Sequence, residues 1–307
     1  MATRKIYLTG ANGRIGGAVL RLLPDAIPLV RKRSGMKNER VVDFFDAEGL
    51  KKALRDADVV VHMAGSVRTY DKNELWKSNY ELTKRIVEAM PEKARIVFAS
   101  SISVYGKKPA ALPADENTPV NPDSEYARSK YESEKLVAAH PDHVILRLGT
   151  VYGPEFMDYF YVLGLLEKGK MRIIGDGSNR VPFVHVEDAA KAVAAAVSGG
   201  NGVYVIAGEC GTQKSIYENA CRELGVEAPR RHVPQWLADF TAMMGEMKAK
   251  ISGKAPKMTR EHVAILGNDR CFNCNKARRE LGFYPRSIVD GIKEMAEIYG
   301  KRERLST

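Results

Sequence analysis

Tyr126 and Lys130 stand four positions apart in the run Tyr-Ala-Arg-Ser-Lys, inside a segment of strong helix formers. On a helix that spacing puts both side chains on one face. An ammonium beside a phenol stabilises the phenolate, drawing a tyrosine pKa of ~10 toward the range where it can exchange protons with a substrate. Such a pair is common in ordinary helices, so its neighbourhood matters. An apolar run ends at Phe98-Ala99-Ser100-Ser101, and the carboxyl edge of strands is where open α/β sheets take their ligands. A serine there, Ser101 or its neighbour Ser100, can donate a hydrogen bond to a substrate oxygen held near Tyr126.

A second constellation lies at the start of the chain. The run Lys5 to Thr9 reads as a strand and leads into Gly10-Ala-Asn-Gly13-Arg-Ile-Gly16, after which a helical pattern begins. Free amides and the positive end of a helix dipole together favour anions, and glycines let the backbone approach them. Gly10, Asn12, Gly13, Arg14, Ile15 and Gly16 are therefore candidate contacts for the pyrophosphate of a dinucleotide. The end of the second strand decides which dinucleotide. A carboxylate there would accept from ribose hydroxyls and favour NAD, whereas this chain reads Leu29-Val30-Arg31-Lys32-Arg33-Ser34. Charge-assisted hydrogen bonds to a 2′-phosphate make NADP the expected cofactor over NAD, with Arg31 and Lys32 as leading contacts. Asp43, at the end of the third strand, is placed to accept from an adenine amino group; a role as helix N-cap near Asp46-Ala47 accounts for it equally well.

Positioning these groups requires alternating strands and crossover helices. Strands are expected at Lys5 to Thr9, Ile27 to Val30, Val41 to Asp43, Val59 to Met63, Ile96 to Ser100, Val144 to Leu148 and Gly202 to Ile206. Helical patterns cover Ile15 to Leu23, Ala47 to Leu54, Asn79 to Met90, Tyr126 to Ala139 and a Met-rich stretch from Gln235 to Ile251. The pattern is that of an α/β protein with a doubly wound parallel sheet and a smaller carboxyl-terminal lobe. A nucleotide-binding domain over 1–155, completed by about 183–210, and a substrate lobe over 156–182 and 211–307 are expected, with a cleft between them and a short linker at Ser252 to Pro256.

Composition excludes several classes. With 307 residues, 44% of them apolar, the chain can bury a full core, which rules out a disordered tail or a staple-dependent miniprotein. The formal charge of +10 comes from basic residues dispersed among acids, so no nucleic-acid partner is expected. No apolar stretch approaches the ~20 residues of a membrane span; a soluble chain is expected, still able to touch a membrane surface. Four cysteines are too sparse for a secreted disulfide scaffold, and a cytoplasmic location follows from that and from the polar start of the chain. Cys271-Phe-Asn-Cys274 has the spacing of half a zinc or redox site and no second pair nearby, so no metal is expected and both read as ordinary buried cysteines.

With these residues in place the chain resembles the extended short-chain dehydrogenase/reductase family, the group of NAD-dependent epimerases and dehydratases, 3β-hydroxysteroid dehydrogenases and dihydroflavonol reductases. The matching segments are Thr9 to Gly16, His62-Met-Ala-Gly65, Asn79 with Thr83, Ser100 to Gly106, Tyr126 to Lys130, Arg147 to Pro154, Phe183 to Asp188 and Phe272 to Pro285. The resemblance implies Ser101 as catalytic hydroxyl, Tyr126 as catalytic acid or base, and Lys130 as ligand of the nicotinamide ribose. It also implies Asp43 with the adjoining Phe44 at the adenine, Ala64 in the turn lining the cofactor, and a homodimer through the helices Asn79 to Met90 and Tyr126 to Ala139.

Departures from the family's branches narrow the chemistry. Ile102-Ser103 follows Ser101 where sugar-nucleotide dehydratases carry an Asp-Glu pair, which disfavours water elimination. Val181 stands four residues before His185, where sugar-nucleotide epimerases place an Arg, although Arg180 adjoins it. The expected activity is therefore NAD(P)-dependent interconversion of a carbonyl and a secondary alcohol on an apolar small molecule. Trp236, Leu237, Phe240, Met243, Met244 and Met247 recur at near-helical spacing, and either line an apolar substrate pocket or pack an amphipathic helix onto its own core. The alternatives are a nucleotide-sugar epimerase using transient hydride transfer and, from another class, a non-catalytic NADP-binding sensor, which the presence of Tyr126 and Lys130 disfavours.

Overall fold

Residues alternate between two faces along each central strand, and the sequence supplies apolar side chains for both. Val59, Val61, Val97, Ala99, Val144 and Leu146 share one buried cluster, while Val60, Ile96, Phe98 and Ile145 belong to another. Strands apolar on both faces need helices on both sides, which is the condition for a buried parallel sheet. The computed structural model describes residues 4–67, 71–252 and 259–306.

In chain order the first half runs β1 (Ile6–Thr9), α1 (Arg14–Leu22), β2 (Ile27–Val30), β3 (Arg40–Val41), α2 (Ala47–Leu54) and β4 (Val59–His62). It continues with α3 (Lys72–Trp76), a π-helical turn (Lys77–Glu81), α4 (Leu82–Ala89), β5 (Arg95–Ser101), a 3-10 turn (Ile102–Tyr105), α5 (Glu125–Ala138) and β6 (His143–Leu148). Then come β7 (Thr150–Tyr152), α6 (Met157–Glu167), β8 (Ile173–Ile174), β9 (Arg180–His185), α7 (Val186–Ala196), β10 (Gly202–Ile206) and β11 (Cys210–Thr212). The chain ends with α8 (Gln213–Leu224), β12 (His232–Val233), α9 (Gln235–Ser252), α10 (Arg260–Gly267), α11 (Asn275–Leu281) and α12 (Ile288–Ser306).

Seven strands form one sheet in the order β10-β6-β5-β4-β1-β2-β3, each pair parallel. All carboxyl ends therefore share one edge, and the strand order reverses between β1 and β4, which opens a crevice there. This is the doubly wound sheet that the sequence predicts. Most expected boundaries fall within one residue, with two informative exceptions. The third strand is Arg40–Val41 rather than Val41 to Asp43, because Asp43 Oδ1 accepts from the Phe45 nitrogen at 2.9 Å and turns the chain out of the ladder. The helix expected from Asn79 starts at Lys72, because the Asp71 carboxylate accepts from the Asn73 and Glu74 nitrogens and caps it there.

The second half packs around two smaller cores. Tyr152, Phe160, Leu163, Tyr217, Ile292 and Tyr299 join α6, α8 and α12, and Ile174, Ala238, Ala242 and Val263 join β8, α9 and α10. The expectation that α9 packs on a core holds only in part: of its six large apolar residues, Leu237 and Met243 alone are half-buried. The helix buries its small residues, Ala238 and Ala242, and leaves Trp236, Phe240, Met244 and Met247 exposed. Small side chains let α9 and α10 approach closely, and that contact fixes which face turns inward. Of the expected linker at Ser252 to Pro256, Ser252 closes α9 and the rest lies outside the described residues.

The cysteines also correct the sequence reading. Cys210 and Cys271 form a disulfide with Cα atoms 5.4 Å apart, across 61 positions of sequence. The segment after α10 returns against β9, where the Arg270 nitrogen donates to the Arg180 carbonyl, and this brings Cys271 onto β11. Cys274 is a buried thiol donating to the Ala207 carbonyl, and Cys221 is a second buried thiol. Thiol titration of the unreduced, urea-unfolded chain should find two free thiols; four would show that the bridge does not form.

Candidate functional site

Gly10 leaves β1 with a φ of +74°, and a Cβ there would lie 2.7 Å from the Ala64 nitrogen. A Cβ on Gly16 would overlap the Gly10 carbonyl oxygen, so both positions demand glycine. The Gly13 nitrogen donates to the Gly10 carbonyl at 2.9 Å, which closes the loop under the start of α1. Gly13 occupies the N-cap without a side-chain bond, and the first turn carries no acid. The positive helix end thus stays unshielded at the crevice of the sheet, with the amides of Asn12, Arg14 and Ile15 beside it. The Arg14 guanidinium lies over the Phe156 ring at 4.9 Å and reaches Asp158 at 3.4 Å, connecting the loop to α6. This cradle, which a Cβ would fill, fits a pyrophosphate.

Arg31, Lys32 and Arg33 follow β2 directly and are exposed. The acid of this loop, Glu39, accepts from the Ser34 hydroxyl and from the Ser34, Gly35 and Met36 nitrogens. Those bonds, the Ser34 hydroxyl first, hold its carboxyl down to about 2 and direct its charge into the loop backbone. The cations are left as the outward charge at the end of β2. Asp43 is exposed, and Asp46 occupies the N-cap of α2. The Phe44 side chain is 5% exposed in the core with Leu50 and Leu54, so its backbone is the part that can meet a ligand. Ala64 borders the glycine loop, its nitrogen donating to the Thr9 hydroxyl at 3.2 Å.

The two serines at the end of β5 have different partners. Ser100 Oγ donates to Glu134 Oε1 at 2.5 Å, inside a buried group in which Arg147 grips both Glu134 oxygens at 2.7–3.3 Å and donates to the Tyr105 hydroxyl at 2.8 Å. Ser101 is half-buried, and its Oγ accepts from the Ser103 nitrogen at 3.1 Å. That acceptor role leaves the Ser101 proton for another oxygen.

Helix α5 is capped by Ser124, whose hydroxyl accepts from the Ala127 nitrogen at 3.1 Å. Tyr126 lies half-buried in its first turn, and Lys130 one turn on is 6% exposed. Lys130 Nζ donates to the Ala99 carbonyl at 2.6 Å and lies 4.5 Å over the Phe98 ring. Burial pushes its pKa down to about 8, and the Glu134 carboxylate pulls the other way. Asn79, in the π-helical turn, accepts from the Ser66 nitrogen at 2.8 Å and donates to the Ser66 carbonyl and Ser129 hydroxyl at 3.0 Å each. It ties the loop after β4 to α5, close enough that a Cβ on Gly65 would meet both Asn79 Oδ1 and Lys130 Nζ. His62 is fully buried between the Thr9 and Thr83 hydroxyls, its pKa pushed down to about 3 by burial and then by the Lys130 charge. A histidine neutral at every working pH orders the strands.

A cleft of about 710 Å³ opens beside Ser124 and the start of α5. Lys107, Lys108, Asn121 and Asp123 line one side, and α9 contributes Gln235, Asp239 and Glu246, not its Trp and Met residues. The Trp and Met residues of α9 do not line this cleft, and neither do Ser101, Tyr126 and Lys130. Arg180 is held by Asp269 at 2.7 and 2.9 Å. Asp188 accepts from the Arg286 nitrogen and Nε at 2.9 and 3.1 Å, so α7 is tied to the segment before α12.

Sequence reasoning missed the Ser100–Glu134–Arg147–Tyr105 group. A signal was present: Tyr126, Lys130 and Glu134 form one stripe at spacings of four. Glu39 left no such signal, since its role depends on the turn that folds it back.

Residues 6–207 match the NAD dependent epimerase/dehydratase family. The chain belongs to this family. It is an enzyme of the extended short-chain dehydrogenase/reductase type, whose members bind NAD or NADP. A Methanocaldococcus jannaschii protein provisionally named a UDP-glucose 4-epimerase is 33% identical over 219 residues, 61% of this chain and 71% of the relative. The mouse sterol-4-alpha-carboxylate 3-dehydrogenase, decarboxylating, is 24% identical across 95% of this chain and 89% of its own. A solved structure titled gox2253 superimposes with a TM-score of 0.77 at 26% identity, covering 98% of this chain and 99% of the other.

The buried group under the site yields a stability test. Side chains of Arg147 and Glu134 are 7% and 4% exposed. Glu134→Gln removes the counter-charge from a guanidinium that cannot deprotonate, which should cost about 3–5 kcal/mol in urea unfolding at neutral pH. A loss under about 1 kcal/mol would mean that water reaches Arg147.

Proposed function

We propose that the protein is an NADP-dependent oxidoreductase that interconverts a carbonyl and a secondary alcohol, with Ser101, Tyr126 and Lys130 carrying the chemistry. The observation that carries the choice is the end of β2: Arg31, Lys32 and Arg33 face outward while the loop's acid is turned into its own backbone. Recognition of a 2′-phosphate suits a cofactor that is exchanged after each turnover. A relative named as a dehydrogenase aligns over 95% of the chain, which supports the same reading.

The nicotinamide, when bound, supplies or accepts a hydride at the substrate carbon. Ser101 Oγ donates to the substrate oxygen and fixes its direction. Tyr126 gives its phenolic proton to that oxygen in reduction and takes it back in oxidation. Lys130, one turn along α5, stabilises the phenolate that remains and holds the cofactor's ribose side against the loop after β4. Gly10 to Gly16 bind the pyrophosphate, Arg31 and Lys32 the 2′-phosphate, and Asp43 the adenine, with the Phe44 backbone and Ala64 lining the cofactor's path. The polar lining of the cleft supports a substrate bearing polar or anionic groups rather than a plain apolar alcohol.

That same lining favours one second reading, a nucleotide-sugar epimerase, because Lys107 and Lys108 would suit a diphosphate. Against it, the Arg180 guanidinium is already paired with Asp269. Net turnover separates the two, since a reductase consumes reduced-nicotinamide absorbance continuously and an epimerase does not.

Replacing Tyr126 with Phe should lower kcat by about 100-fold or more while leaving the Kd for NADPH within about twofold. NADPH should bind at least about tenfold more tightly than NADH, and Arg31→Ala with Lys32→Ala should erase that preference. Retained turnover in the Phe variant, or tighter NADH binding, would overturn the respective assignment.

A further inference from the structure

Helix α9 is built inside out. Its buried side consists of Ala238 and Ala242, at 5% and 2% exposure, while Trp236, Phe240, Met244 and Met247 are exposed by 70, 51, 49 and 53%. Steps of four, four and three place these four on one stripe. Among the described residues only thirteen large apolar side chains are exposed, so nearly a third of them lie on this single helix face. A stripe of this kind marks an interaction surface rather than chance exposure.

The charges beside the stripe identify what it fits. Between Arg230 and Arg260 the sequence holds seven cations and two acids, half of the chain's net +10 in about a tenth of its length. Arg231 precedes the stripe and Lys248 follows it, both exposed, while Arg230 is paired with Glu227 at 3.3 Å; Lys250, Lys254 and Lys257 continue the run in the sequence. Both acids, Asp239 and Glu246, are on the flank that lines the cleft, and Glu246 is paired with Arg260 at 3.0 Å. The stripe itself is therefore bordered by positive charge at both ends. A second copy packed across a twofold axis would set cations against cations. An anionic lipid surface instead receives the apolar side chains among its acyl chains and pairs the cations with its headgroups. Among the described residues no helix is long and apolar enough to cross a membrane, so α9 would lie in the interface, with Trp236 at its amino end as an interfacial anchor.

We propose that the exposed Trp236–Phe240–Met244–Met247 face of α9 docks the protein onto an anionic lipid bilayer. This is independent of the reaction assigned above. The cleft adjoins the neighbouring flank of α9, so a docked chain keeps that opening beside the membrane surface.

The full chain is mixed with phosphatidylcholine vesicles, with and without phosphatidylserine, and followed by co-sedimentation and tryptophan emission. Binding should rise at least about tenfold with phosphatidylserine and fall again at high salt. Emission should shift to the blue, and Trp236→Phe should remove the shift while keeping sedimentation, since Trp76 is the other tryptophan. Phe240→Glu with Met244→Glu, both at exposed positions, should lower vesicle binding about tenfold or more at unchanged Tm and NADPH affinity. Equal binding to neutral and anionic vesicles, no effect of the double variant, or a blue shift that follows protein concentration without lipid would overturn the proposal, the last by showing that a second copy covers the stripe.

Discussion

A buried ammonium at the carboxyl edge of the sheet is the constraint around which the site is arranged. Lys130 is held where water is scarce, on the Ala99 carbonyl and over the Phe98 ring. Burying a charge is costly unless it is paired and hydrogen-bonded, and the surrounding elements meet that cost in layers. Glu134, one turn further along α5, supplies the opposite charge, and Arg147 on β6 balances Glu134. Ser100 completes the carboxylate's bonds, which fixes its own hydroxyl inward and distinguishes it from Ser101. Asn79 then holds the loop after β4 against α5, so three separate segments share one register at the crevice.

This explains which parts of the site were legible in the sequence. Tyr126 to Lys130 and the glycine loop are local patterns whose spacing carries their geometry, and the alternation of strands and helices placed both at one edge. The group beneath Lys130 was less legible because Ser100, Tyr105, Glu134 and Arg147 come together only through the packing of β5, β6 and α5. Phe44 illustrates the same limit: its neighbour Asp43 turns outward, and one residue along the chain the side chain enters the core. The Cys210–Cys271 bridge spans 61 positions, beyond any local signal.

Helix α9 shows how tertiary contact overrides amphipathic pattern. Its large residues have the spacing of a core-facing stripe, yet close approach to α10 favours the alanines inward. The outcome separates two properties that the sequence had combined in one helix, a polar flank facing the cleft and an apolar face turned away from it. The apolar face requires an explanation outside the reaction.

The burial of Lys130 can be measured directly by following its side-chain nitrogen by NMR as the cofactor-free chain is titrated, with Lys130→Arg assigning the resonance. The arrangement described here predicts half-titration at about 8, well below a solvated lysine. Titration in the ordinary range near 10.4 would mean that the ammonium is hydrated, and the layered support from Glu134, Arg147 and Ser100 would then have nothing to support.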